Sequence, residues 1–170
     1  MPLPIHARLF THIEWADALL WRAVLAEKVV SWDDYVREGT FHLHSVQRAY
    51  LCIWTGEPSD PTDVDDFARP VEIRDWARSY YSEASRFLDS CTEDHLAEII
   101  PLPWTRFIEQ ELGEPCAPAT LGDMLIQVTS HSVHHRAQIN RRIREVGGSP
   151  AFIDYIAWVW RGCPNPDWDG

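Results

Sequence analysis

An all-α chain, with four long helices packed as a bundle, is what this sequence predicts. Three observations carry that expectation. Apolar residues recur at helical spacing in four separate stretches, polar segments rich in proline or glycine part most of them, and the last stretch opens on a cap signal and closes on paired glycines. At 170 residues the chain fits one domain, spanning 1–170, with room for a substantial core.

The first helix is expected over roughly residues 5–29, where Leu9, Ile13, Ala16, Leu20 and Val24 share a face. "SWDDYVREGT" follows as a polar connection, and "FHLHSVQRAYLCIWTG" resumes the helical pattern until Gly56 stops it. "EPSDPTDVDDFARP" is acidic, carries three prolines and reads as a loop. The third helix lies in "VEIRDWARSYYSEASRFLDS", with Ile73, Trp76, Tyr80, Ala84 and Phe87 on one stripe. Residues 91–119 lack a clear period, and a short irregular or hairpin insertion is expected there, before the last long helix. In "PATLGDMLIQVTSHSVHHRAQINRRIREVGGSP", Thr120 and Asp123 form the cap signal and Gly147-Gly148 the stop. "FIDYIAWVW" is a short C-terminal helix, and the aromatic tail around it suggests an apolar surface suited to a homodimer.

A net charge of −11 and a pI near 5.0 repel phosphate backbones, which disfavours nucleic-acid binding. Nine tryptophans require a packed interior or an interface. Cys52, Cys91, Cys116 and Cys163 form no CxxC, so free thiols in a reducing cytoplasmic setting are expected, with Cys52 a buried structural thiol. Neither a signal peptide nor a membrane-spanning run is visible.

Histidines carry the chemical signal. His131 and His135 lie one turn apart, in line with Val128 and Ile139, whereas His134 lines up with Gln127, Gln138 and Arg141 on the wetter side. Two imidazoles at i and i+4 can hold one divalent ion, although such a pair can equally bond carbonyls or water. Ser132 stands where a zinc peptidase has its glutamate, and no Glu-x-x-His pair exists for a di-iron site. A third ligand must come from another helix. His42 shares a stripe with Val46, Ala49 and Ile53 and is preferred; His44, in register with Gln47, Arg48 and Leu51, is the reserve. His6, His12 and His95 read as surface or capping residues, and Trp15 as core.

"TLGDMLIQVTSHSVHHRAQINRRIREVGGSP" resembles the signature region of the DinB/YfiT-like family, whose members carry Thr-Leu-Gly, then a histidine followed after three residues by His-Arg-Gly-Gln. "FTHIEWADALL" is similar to that family's first-helix pattern, and His42, Arg48 and Gly56 match its second-helix offsets where His44 does not. Ala137 replaces the family's glycine, and Gln127 stands where many members have an additional histidine. The resemblance implies a four-helix bundle holding one divalent ion, commonly zinc or nickel, on His42, His131 and His135.

Three histidines leave an ion at least one open position, where water or a thiolate can enter. The resemblance implies a metal-dependent enzyme, a thiol-dependent transferase or a hydrolase acting on a small molecule, with a low-molecular-weight thiol as a candidate partner. The alternative is a non-catalytic, stress-associated metal-binding or interaction bundle. Arg136, Gln138, Ser132 and Tyr50 are the candidates for orienting the ligands or lining the site.

Overall fold

A computed structural model describes residues 4–169. The described residues contain helices and no strands: α1 (Pro4–Ala26), α2 (Lys28–Ser31), α3 (Asp34–Thr55), α4 (Pro70–Ser90), α5 (Glu93–Leu96), α6 (Thr105–Leu112), α7 (Leu121–Glu145) and α8 (Tyr155–Trp160), with a 3₁₀ turn at Val64–Asp66. The chain is therefore all-α. The long helices α1 and α3 each pack against both α4 and α7.

Two boundaries differ from expectation, each for a local reason. The first helix breaks at Glu27, whose extended backbone (φ −132°, ψ 131°) separates α2 from α1. Val30 lies six residues beyond Val24, off its helical face; the break re-aims it, and it is fully buried. The expected polar connection after it is instead the first turns of α3. Asp33 caps that helix by accepting from the Val36 N–H at 3.1 Å, and it also binds Arg142 Nη2 of α7 at 2.7 Å. The polar residues there are the exposed side of a helix rather than a linker.

Other expectations hold. Gly56 ends α3 in the left-handed region at φ 72°, and Pro70 opens α4 at its first turn. Residues 57–69 form a loop around the 3₁₀ turn, tied to α3 where Arg37 Nη2 donates to the carbonyls of Val64 and Phe67, each at 2.8 Å. The α4 stripe is buried at Ile73, Tyr80 and Ala84 but only half-buried at Trp76 and Phe87, its place there taken by Ala77 and Leu88. Residues 91–119 are irregular, with two short helices and one antiparallel bridge between Ile99 and Thr120. No hairpin forms among the described residues; Pro101 and Pro103 lack the N–H groups a strand pair would use.

Thr120 and Asp123 make the predicted capping box on α7. The two glycines behind it act differently. Gly147 adopts φ 92°, while a Cβ on Gly148 would stand 2.5 Å from Val30 Cγ2. Beyond them, Asn140 holds residue Ala151 by its carbonyl (2.9 Å) and its N–H (3.1 Å), leading the chain into α8. The tail is less exposed than expected. Trp158 is buried on Trp15 and Ala16, and Trp168 is buried with its ring 5.7 Å from that of Tyr81; of these tryptophans Trp160 alone, 79% exposed, faces outward. Trp15 belongs to the core, as predicted.

The interior that these helices enclose is partly polar. Asp17 of α1 is fully buried, and its Oδ1 accepts from Arg136 Nη1 of α7 at 2.7 Å. Its Oδ2 accepts from the Tyr81 hydroxyl of α4 and, at 2.9 Å, from Gln47 Nε2 of α3. Gln47 Nε2 also donates to Ser132 Oγ at 3.1 Å, and Gln47 Oε1 lies 2.8 Å from His44 Nδ1. An indole only donates, so Trp21 Nε1, 2.9 Å from His44 Nε2, makes that nitrogen the acceptor and leaves the ring proton on Nδ1. His44 is thus neutral, and the 4.0 Å separation of its Nδ1 from Asp17 Oδ2 is no ion pair. Burial lowers the His44 pKa, outweighing Asp17 and Gln47, which act to raise it. Burial acts to raise the Asp17 pKa, but Arg136 and the surrounding donors overcome it and hold the carboxyl below its usual range.

Asp17→Ala would leave the Arg136 guanidinium buried without its counter-charge. The expected loss is about 3–5 kcal/mol, read as a lowered urea midpoint. Tyr81→Phe removes one donor to the carboxylate and keeps the ion pair, so a smaller loss of about 1.5–3 kcal/mol is expected in the same measurement.

Candidate metal centre

The centre sits on the seam between α3 and α7, whose contact is the most extensive between two helices among the described residues. Gly39, three residues before His42, permits their close approach: a Cβ there would lie 3.2 Å from Ile139 Cγ1. One turn along this contact, His42 of α3 meets His131 and His135 of α7. The ring centroids are 5.5 Å apart for His42–His131, 4.6 Å for His42–His135 and 4.2 Å for His131–His135. One nitrogen from each ring lies within 4.8 Å of the other two, so the three can hold a metal ion. Two nitrogens bound tetrahedrally to one zinc-sized ion stand about 3.4 Å apart, so modest ring rotations would close the set.

The structure brings together the three histidines singled out in the sequence, but not by the burial pattern that selected them. His42 is exposed, and its stripe partners Val46, Ala49 and Ile53 are only half-buried. The buried side of α3 carries Leu43, His44, Gln47, Tyr50 and Leu51. His44, the reserve ligand, has both ring nitrogens engaged by Trp21 and Gln47 in the interior and takes no part in the cluster. On α7 the inward positions are Val128, Ser132, Arg136 and Ile139; His131 and His135 flank them, half-exposed.

The chemistry of the donors fits a cation. His131 Nε2 is buried and has no hydrogen-bond partner among the described residues. No carboxylate or thiolate joins the group among those residues. Burial lowers the pKa of His42. For His131 burial, followed by the charges of His135, His42 and His134, pushes it down to about 4. For His135 burial leads, then His42 and His134, against a smaller opposing effect of Gln138. Three neutral imidazoles offer the lone pairs that a divalent ion requires.

Around them, His134 is exposed with its Nε2 2.9 Å from Gln138 Nε2, outside the cluster as expected. Gln138 thus lies beside His134 and also acts on His135 of the triad, whose pKa it acts to raise. Ser132 and Arg136 face the buried network. Tyr50 does line space beside the site: a cavity of about 360 Å³ runs from His131 past Val46, Ala49 and Gln127 to Tyr50 and Trp104. Trp104 comes from the irregular insertion, and no periodic signal pointed to it. His12, expected at the surface or as a cap, is buried inside α1 and bonds the Ile153 carbonyl at 3.1 Å. His95 does cap, accepting from the Thr92 N–H at 2.9 Å. Cys52 is half-buried rather than buried, and all four cysteines are free.

No protein-family model matches the chain, and no curated protein matches it either.

The lowered histidine pKa values give a signed pH dependence. Between about 6.5 and about 4 the unfolded chain takes up protons that the folded His131 refuses. The stability of metal-free protein is therefore expected to fall as pH drops through that window. Urea unfolding in the presence of a chelator at stepped pH checks this, and His131→Asn should make the dependence shallower.

Proposed function

We propose that this chain is a DinB-like four-helix bundle that binds one divalent metal ion, zinc or nickel, through His42, His131 and His135. In this reading it is a metal-dependent enzyme of the thiol-dependent transferase or hydrolase type, acting on a small molecule. The observation that carries it is the convergence of three neutral imidazoles from two helices with no fourth acidic or thiol donor in the group among the described residues. A structural zinc site is closed by four protein donors; a three-donor site leaves a position for substrate.

When bound, a divalent ion supplies Lewis acidity that lowers the pKa of a coordinating thiol and polarises a carbonyl. The chain's own residues supply the rest. Three neutral imidazoles add no negative charge, so attraction for an anionic sulfur is undiminished. Val46, Ala49 and the rings of Tyr50 and Trp104 wall the adjoining cavity with apolar surface, suited to hold the body of a small molecule against His131. Gln127 adds an amide that can donate and accept. A bundle that only sequestered metal would have no use for a cavity against one ligand, and that cavity favours the enzyme reading.

No described helix is long and apolar enough to cross a membrane. Four free cysteines agree with a cytoplasmic location. We also assign the chain as a homodimer, formed through the side of α8 where Ile156 (47% exposed) and Trp160 (79%), one turn apart, present apolar surface.

Metal analysis of purified protein is expected to give about one equivalent per chain, lost in His42→Ala and His135→Ala and retained in His134→Ala. Unchanged metal content in the first two variants would refute the site. A screen of metal-loaded protein against low-molecular-weight thiols and esters then tests turnover, with none across both classes favouring the non-catalytic reading. Light scattering at micromolar concentration is expected to report a dimer of the 19.7 kDa chain and a monomer for Trp160→Glu.

A further inference from the structure

A second cavity, of about 480 Å³, opens on the α1 side of α7, lined by a different set of α7 residues from those that form the histidine centre. Its walls are Leu9, His12 and Ile13 of α1, Val133 and Ala137 of α7, and the 151–155 segment that Asn140 holds in place. The cavity is also lined by Arg136, a residue only 1% exposed. The Nη1 of that guanidinium is spent on Asp17, but its Nη2 is buried and has no hydrogen-bond partner among the described residues. Buried donors of this kind are nearly always satisfied, and a guanidinium cannot shed its protons to escape the cost.

The acceptor that would satisfy Nη2 is constrained by charge. Asp17 already neutralises Arg136, so a second anion would bury a net negative charge. Asp154 stands in the cavity wall and opposes an anion further. His12 gives no compensating charge: burial lowers its pKa, the bond to Ile153 opposes this, and Arg136 lowers it again. A neutral oxygen satisfies the donor without adding charge. The rest of the lining is largely apolar, with Val133 (54% exposed) and Phe152 (62%) at the rim.

We infer that this cavity is a second small-molecule site, which takes a neutral carbonyl compound, an amide or ketone with a compact apolar body, whose oxygen accepts from Arg136 Nη2. The site needs no metal and is independent of the function proposed for the histidines.

Phenylacetamide and phenylacetate, alike in size and differing in charge, are the probes. Chelator-stripped full-length protein with labelled Ile and Val methyl groups is titrated with each and followed by NMR. The amide is expected to shift Ile13 and Val133 saturably and to bind at least about tenfold tighter than the carboxylate. Ala137→Trp fills the cavity from an exposed position while leaving both members of the Asp17–Arg136 pair in place, and is expected to weaken amide binding at least about tenfold while its thermal melt stays cooperative. Val133→Trp plugs the opening from one turn earlier on the same wall and serves the same purpose should Ala137→Trp fail to fold. Equal or tighter binding of phenylacetate, no saturable shift at millimolar amide, or binding that survives the plug in a folded variant would each overturn the inference.

Discussion

Placing one carboxylate in the middle of a helical interior constrains everything around it. A buried charge is tolerated only when paired and fully hydrogen-bonded, and Asp17 meets that condition by drawing one side chain from each of the other long helices: Gln47 from α3, Tyr81 from α4 and Arg136 from α7. Apolar packing alone tolerates a helix rotated by a fraction of a turn; a set of directional donors aimed at two oxygens does not. The rotation of each long helix about its own axis is therefore set by chemistry as well as by side-chain volume.

That rotation determines where the histidines stand. Successive residues on an α-helix are about 100° apart. With Ser132 and Arg136 turned inward to the network, the residues immediately before them, His131 and His135, come to the flank of α7 that faces α3. On α3 the same logic turns His44 and Gln47 inward and leaves His42 two positions away on the other side. Gly39 then brings the two flanks close enough for the three rings to converge. The metal-competent cluster lies beside the polar interior and is positioned by it, although no cluster histidine belongs to the network.

This arrangement explains which features the sequence disclosed. The four long helices, the Thr120–Asp123 cap and the Gly56 and Gly147 stops depend on local chemistry, and local patterns report them well. The metal-site residues were accessible through the one-turn spacing of His131 and His135 and through the family-like offsets of His42. Burial was not accessible, because stripe counting assumes an apolar interior; here Asp17, His44, Gln47, Ser132 and Arg136 occupy core positions while resembling surface residues. His44 was accordingly placed on the wet side and His42 on the dry one, the reverse of what the fold shows. Glu27 and Asp33 were missed because a helix break and a cap depend on where Val30 and Arg142 end up in space. Trp104 was missed because a non-repeating segment has no period from which its direction could be read.

The links that join Trp21 to the carboxylate all point one way. The indole gives its hydrogen to His44, the imidazole passes one to Gln47, and the amide gives its own to Asp17 and Ser132. A tryptophan ring has no lone pair to offer in return, so the sequence of arrows has no mirror-image state into which it could flip. One of the eight histidines is therefore fixed as a single tautomer by a neighbour incapable of reciprocating.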